Sequence, residues 1–494
     1  MPAVAQVGVR ALTLAAICWW TLARAVVLCL LAWPVCRWIE QSFKMLPATW
    51  RPWYLAGLLA PACFPELLVG YAFRHLAVAR PDLAEGLCSA LLLIRMIPAG
   101  TIALLATPRS GPDASAWHCR LLLARSELNR SGLSRFRLRA GRDWIELARC
   151  YWNGSLMRGL PAFGLMGIVA FQEFELAALL QTISWTDWFV TARWQGLDRD
   201  EMLHQSLRPV LWQLPLLLGV LAWVSRTSQR MAGTVDDVTE RPESVRVLWF
   251  GTICVSVAIV VGCVVPLTLM GWRTFDGLAL LARQRTQQLG LAREMLISSA
   301  VATCATGMAW VISSRLRGMF SSLLYLGLFG SLLLSLGAVA IFQWPLLRPV
   351  YDTPIPWVLV LTLWLLPRAA LLKAWLQAFR NDTGIYVAEL ANPKEGTAAP
   401  RIRNSSIMKR RSSLLWHLRD QPQFLAMSLL WYWAYCDLPS AYMLAPSGMA
   451  SGLVRLYNFM HFGRSAALSA EALVFFGIPV VGWFLLLMAN RKFR

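Results

Sequence analysis

Long apolar runs separated by short polar stretches set the pattern of this chain. Eleven runs each approach the roughly 20 residues that an α-helix needs to cross a bilayer. They cover 11–34, 53–75, 86–106, 160–182, 207–224, 247–272, 293–313, 318–343, 354–378, 423–445 and 467–489. The pattern predicts an all-α, polytopic integral membrane protein with about eleven transmembrane helices. Two long polar insertions interrupt it. The first, 107–158, carries ten Arg against four acids, and the second, 380–422, holds the basic run PRIRNSSIMKRRSS. Six expected spans lie between them, so both insertions fall on one side. The excess of Arg and Lys assigns that side to the cytoplasm. The C-terminal NRKFR then falls inside and the N-terminus outside.

Two of the runs contain acids. In GLMGIVAFQEFELAALL (164–180) these are Glu173 and Glu175, and in LLWYWAYCDLPSAYML (429–444) it is Asp437, followed by Pro439. An acid at the centre of a spanning helix costs about 2.5–3.5 kcal/mol on insertion scales, so such a group turns toward protein or a polar path rather than lipid. Two copies of one unusual device point to two halves of one membrane machine.

Composition agrees with the pattern. Hydrophobic residues make up 57% of the chain and charged residues only 15%, against about 25% charged in soluble domains. Mean hydropathy is +0.51. The 25 Trp suit side chains that settle at the lipid–water boundary. The net charge of +20 would also fit a nucleic-acid partner, but the Arg and Lys lie mostly in loops between spans, which is the topology pattern, and no nucleic acid is expected. The 11 Cys are scattered singly, many inside spans, and the five His are dispersed. No CxxC pair occurs, so neither a disulfide framework nor a zinc site is indicated. The first apolar run lacks a clear signal-peptide cleavage site. No Walker-type Gly-Lys-Ser/Thr loop, HExxH or GxSxG is present, so the chain is read as a non-enzyme that does not hydrolyse ATP by itself, with no cofactor and no metal.

A weak internal repeat runs through the order of the spans. LLLIRMIPAGTIALLA and LVLTLWLLPRAALLKAWL place Pro98 and Pro367 equivalently, and each is followed by a basic insertion, an acid-bearing span and one further span. This divides the chain into a first lobe (1–232) of five helices that lacks the first helix of the unit, a polar cytoplasmic linker (233–246), and a second lobe (247–494) of six helices.

Spans eight to eleven resemble the fused permeases of binding-protein-dependent ABC importers of the ferric-iron type. The resemblance rests on WPLLRPVYDTP, WLLPRAALL, CDLPSAYMLAP and VRLYNFMHFGR, with APACFPELLVGYAF, LIRMIPAG and FQEFELAALL in the first half. It implies two permease lobes bracketing one translocation path in the cell inner membrane. It further implies a periplasmic solute-binding protein outside and ABC ATPase subunits docked on the cytoplasmic side. The chain departs from the family in its docking helices. The first insertion has SGLSRFRLR and then Leu160-Pro161 at a longer spacing than the family pattern. The second has only VAELANPKEG, far upstream, and no Leu-Pro before Phe424.

Several residues carry two readings. Glu173, Glu175 and Asp437 either line the path or pair with Arg24, Arg95 or backbone groups inside the bundle, as buried charges must. Arg24, Glu66 and Arg95 are the buried charge partners expected among the first spans. Pro98, Pro367 and Pro439 remove a backbone donor and bend a helix, either as hinges for alternating access or through packing alone. Asn458 and His461 either shape an outer mouth or belong to an interfacial amphipathic helix, with Leu456, Phe459 and Met460 in the membrane surface. The basic insertions either receive ATPase subunits and anionic membrane lipid or are simply solvated charge.

Overall fold

The computed structural model describes residues 13–47, 49–107, 157–196, 199–230, 245–315, 326–378, 384–385, 414–462 and 465–492. Most of the two basic insertions and of the linker lies outside these residues, as does the side chain of His461. Every described element is helical. In chain order the α-helices are α1 (Leu14–Met45), α2 (Arg51–Cys63), α3 (Glu66–Ala79), α4 (Pro81–Ala106), α5 (Met157–Phe171), α6 (Glu175–Leu180), α7 (Trp185–Trp194), α8 (Arg199–Arg230), α9 (Val245–Ile259), α10 (Val265–Arg283), α11 (Arg285–Arg315), α12 (Ser331–Phe342), α13 (Arg348–Tyr351), α14 (Ile355–Ala378), α15 (Gln421–Tyr435), α16 (Leu438–Leu444), α17 (Gly452–Phe462) and α18 (Ser465–Lys492). A π-turn, Val260–Val264, joins α9 to α10.

Six described helices are long and apolar enough to cross a membrane, with α9 and the start of α10 counting as one, and α2 with α3 forms a seventh candidate bent by 66°. The described residues are thus all helical, and the chain is a multi-pass membrane protein. Many large apolar side chains stand exposed, among them Leu30, Leu31, Val257, Leu267 and Leu485. That is the surface expected where lipid replaces water. Four expected spans are interrupted among the described residues. In the run at 318–343, Gly330 (φ 89°) separates a short 3-10 turn from α12. The run at 53–75 breaks at Phe64-Pro65, where Pro65 takes extended backbone before α3. The acid-bearing runs break after Phe171 and after Tyr435.

The chain forms two compact units, residues 1–192 with 208–266, and residues 193–207 with 267–494. In the first, α1 packs on α4 and α5, α4 packs on α5, and α3 packs on α6. The buried stripe of α1 is Ile17, Cys18, Ala25, Leu28, Cys29, Ala32, Cys36 and Ile39. Its small residues let the helix axes approach closely, as is usual between membrane helices. In the second unit, α11 packs on α14 and α15, α14 packs on α15, and α12 packs on α16. Each unit described on its own thus has the same order of neighbours.

The boundary departs from the expected one. Span six, expected to open the second lobe, packs as α9 on α1 and α2 within the first unit. The reason is local. Gly251 has no Cβ, and one placed there would lie 2.1 Å from Ser42 Oγ. The backbone of α9 therefore comes close enough for Ser42 Oγ to donate to the Val247 carbonyl at 2.8 Å, and Trp38 meets Phe250 edge-on at 4.5 Å.

Pro98 and Pro367 lie inside the continuous helices α4 and α14. Pro439 instead sits in the first turn of α16. A proline there lacks an N–H that would have no helical acceptor anyway, so it starts a helix rather than bending one. At Pro367 the turn before α12 closes in, and a Cβ on Gly327 would lie 2.1 Å from the Leu363 carbonyl oxygen and 2.5 Å from the proline ring. Gly327→Ala is expected to destabilise the protein by about 1–3 kcal/mol through forced backbone displacement. Thermal unfolding in detergent checks this, and an unshifted transition contradicts the close approach.

Candidate functional site

The two acid-bearing breaks have the same local build. After α5 ends at Phe171, Glu173 turns its carboxylate onto the start of α6 and accepts from the backbone N–H groups of Leu176 and, at 3.0 Å, Ala177. After α15 ends at Tyr435, Asp437 takes extended backbone and accepts from Ser440 N at 3.0 Å. Both acids are buried, at 5% and 7% exposure. A helix that starts inside an apolar bundle leaves its first N–H groups without partners. A carboxylate satisfies them and is favoured by the positive end of the helix dipole. One contact therefore stabilises both the buried acid and the helix start.

The surroundings hold each break in place. In the first unit Trp185 Nε1 donates to the Phe171 carbonyl at 2.7 Å and Thr186 Oγ1 to the Glu173 carbonyl at 2.6 Å. Helix α6 ends after six residues at Gln181, which takes the left-handed conformation at φ 58°. In the second unit Trp357 Nε1 donates to Ser440 Oγ at 3.2 Å, and Tyr435 stacks on Phe475 at 4.4 Å while its hydroxyl donates to the Phe475 carbonyl. A short Ser turn opens the next helix in both places: Ser184 Oγ accepts from Thr186 N, and Ser451 Oγ from Leu453 N.

Of the alternatives open for the acids, the backbone partner is the one seen for Glu173 and Asp437. Glu175 is buried in the first turn of α6. Glu66 pairs with Arg95, whose Nη1 also donates to the Phe64 carbonyl at 2.9 Å across the bend between α2 and α3. Arg24 pairs with Glu85 at 2.9 Å. Its side chain is 5% exposed, yet Nε and Nη2 are buried with no hydrogen-bond partner among the described residues. Each such orphaned donor costs about 1–3 kcal/mol, comparable to the roughly 1 kcal/mol of a helix cap. Nearby, the Cys88 thiol accepts from Thr182 Oγ1 at 3.5 Å.

Sequence reasoning did not single out the charge cluster of the second unit. Arg455 on α17 donates through Nε and Nη2 to the two oxygens of Glu471 on α18, at 3.0 and 2.9 Å, and through Nη1 to Glu294 on α11 at 3.3 Å. This two-pronged geometry is what a guanidinium makes best. It lines an open cleft of about 560 Å³ with Gln287, Asn458 and Phe459. Asn458 is exposed, while Leu456 and Met460 are fully buried in protein rather than laid against a membrane surface. Helix α17 is thus a docked element of the unit.

No protein-family model, curated protein or solved structure matches this chain.

Asp437→Ala is expected to lose about 1 kcal/mol of cap, while Asp437→Asn keeps most of it. Faster amide exchange in 438–444 of the Ala variant alone is the expected reading, and equal exchange in both contradicts the cap. Arg455→Met leaves two carboxylates without their cation and is expected to cost about 3 kcal/mol. The measurement is unfolding in detergent, and a loss under about 1 kcal/mol contradicts the clamp.

Proposed function

We propose that this chain is the channel-forming permease subunit of an ABC importer, built as two homologous lobes of one membrane machine. The observation that carries the reading is the recurrence of one device: an apolar helix interrupted by a buried acid that caps a short helix, with that short helix packed on another short one. It occurs at Glu173, α6 and α3, and again at Asp437, α16 and α12. Half-helices that stop inside an apolar bundle are the usual way a transporter places helix ends near its path. The resemblance of CDLPSAYMLAP and FQEFELAALL to ferric-iron-type permeases supports the same reading and points to ferric iron as the solute.

In this mechanism a periplasmic solute-binding protein hands its solute to the outer face, and partner ATPases acting on the cytoplasmic insertions rock the lobes. Glu173 and Asp437 hold the half-helices in place, and Pro98 and Pro367 give α4 and α14 a point of bending. The protein belongs in this reading to the cell inner membrane.

A second reading is favoured by the departures in the docking segments, SGLSRFRLR and VAELANPKEG. It makes the chain a permease kept as a membrane scaffold or regulator without transport. Affinity capture of the full chain from its native membrane separates the two. Recovery of an ATP-binding subunit, lost when 380–422 is deleted, is the expected result. Capture with no ATP-binding subunit contradicts the importer reading and supports the scaffold.

A further inference from the structure

We propose that Cys36 and Met166 form a two-coordinate site for a soft monovalent metal ion, Cu(I), with the Thr101 hydroxyl as the donor behind the cysteine sulfur. The site goes beyond the importer reading and does not rest on it. Three helices of the first unit meet there. Cys36 on α1 and Met166 on α5 bring Sγ and Sδ to 3.8 Å, and both residues are fully buried. The backbone of α4 closes the third side. A Cβ on Gly100 would lie 2.5 Å from Met166 Sδ and 2.8 Å from Cys36 Sγ.

Thr101 supplies an independent sign. A helical threonine commonly returns its hydroxyl to the carbonyl four residues back, as Thr21 does to Ile17 at 2.9 Å and Thr107 to Ala103 at 2.6 Å. Four residues before Thr101 stands Ile97, and its carbonyl accepts from the Cys36 thiol at 3.5 Å. Thr101 Oγ1 is left buried, in a residue of 0% exposure, with no hydrogen-bond partner among the described residues. A buried donor without an acceptor is unfavourable. A neutral thiol accepts weakly, whereas a metal-bound thiolate is a strong acceptor that outer donors stabilise. The orphaned hydroxyl thus suits the metal-bound form of Cys36.

Thiolate and thioether ligands select Cu(I). Among the described residues no group of three or more His, Cys, Asp or Glu could hold a metal, so the four-ligand chemistry of Zn(II) is not offered here. On binding, the Cys36 S–H bond breaks, an S–Cu bond forms and the proton leaves to solvent, while copper stays Cu(I). The Met166 thioether forms the second bond without losing a proton. Metal–sulfur bonds of about 2.3 Å place the two sulfurs of a linear site about 4.6 Å apart, so the pair opens by about 0.8 Å. The three rotatable bonds of Met166 allow that shift.

Anaerobic titration of the full chain in detergent with Cu(I), against the chelator bathocuproine disulfonate, tests this, with X-ray absorption reading the ligands. One copper with two sulfur neighbours is the expected result. Cys36→Ser and Met166→Leu are each expected to weaken it by about tenfold or more, and Thr101→Val by about tenfold. Met166→Leu conserves volume and keeps the test open if Cys36→Ser does not fold. Cys29→Ser, which removes a thiol bonded to the Phe163 carbonyl at 3.6 Å, is expected to leave the affinity unchanged. If the sulfurs are in contact through packing alone, Met166→Leu and Thr101→Val leave copper affinity unchanged, and that result overturns the site. A loss in Cys29→Ser equal to that in Cys36→Ser overturns it as well.

Discussion

A carboxylate buried against the first turn of a helix, inside an apolar bundle, is the contact on which this structure turns. Where water is scarce, a backbone that stops being helical exposes polar groups that must be satisfied within the protein. An isolated acid there is costly as well. Glu173 and Asp437 meet both demands with one set of hydrogen bonds. The breaks after Phe171 and Tyr435 are therefore stable features, and the short helices beyond them are held at fixed positions in their units.

The two units solve the remaining electrostatics differently. The first relies on ion pairs spread over α1, α3 and α4, namely Arg24 with Glu85 and Glu66 with Arg95. The second sets Ser440, held by Trp357, against its capping acid, and concentrates charge in the clamp of Arg455 on Glu294 and Glu471. Similar helix packing thus carries a different distribution of charge in the two units.

Much of this was legible in the chain. Apolar runs located the helices because their length and composition are dictated by the bilayer, and the acids in 164–180 and 429–444 stood out because lipid tolerates them poorly. That Arg24, Glu66 and Arg95 find partners among the first spans follows from the same cost, but which acid meets which arginine, Glu66 with Arg95 and Glu85 with Arg24, does not. What the runs hide is where they break: a stretch such as VAFQEFELAALL keeps its hydropathy across the gap, and only the backbone geometry shows that the acid ends one helix and starts another. Glu85, Glu294 and Glu471 went unnoticed because each meets its arginine from a different helix, which spacing along the chain does not encode. The docking of span six on α1 rests on Gly251 facing Ser42, a fit of shapes invisible in hydropathy. The segments SGLSRFRLR and VAELANPKEG, on which the importer reading of ATPase docking turns, lie outside the described residues.

Cryo-electron microscopy of the full chain in lipid nanodiscs tests the central claim most directly. The account predicts density interrupted at 172–174 and 436–437, with each carboxylate against the amides that follow it. Unbroken helices through both stretches, with the side chains of Glu173 and Asp437 turned toward lipid, would contradict it.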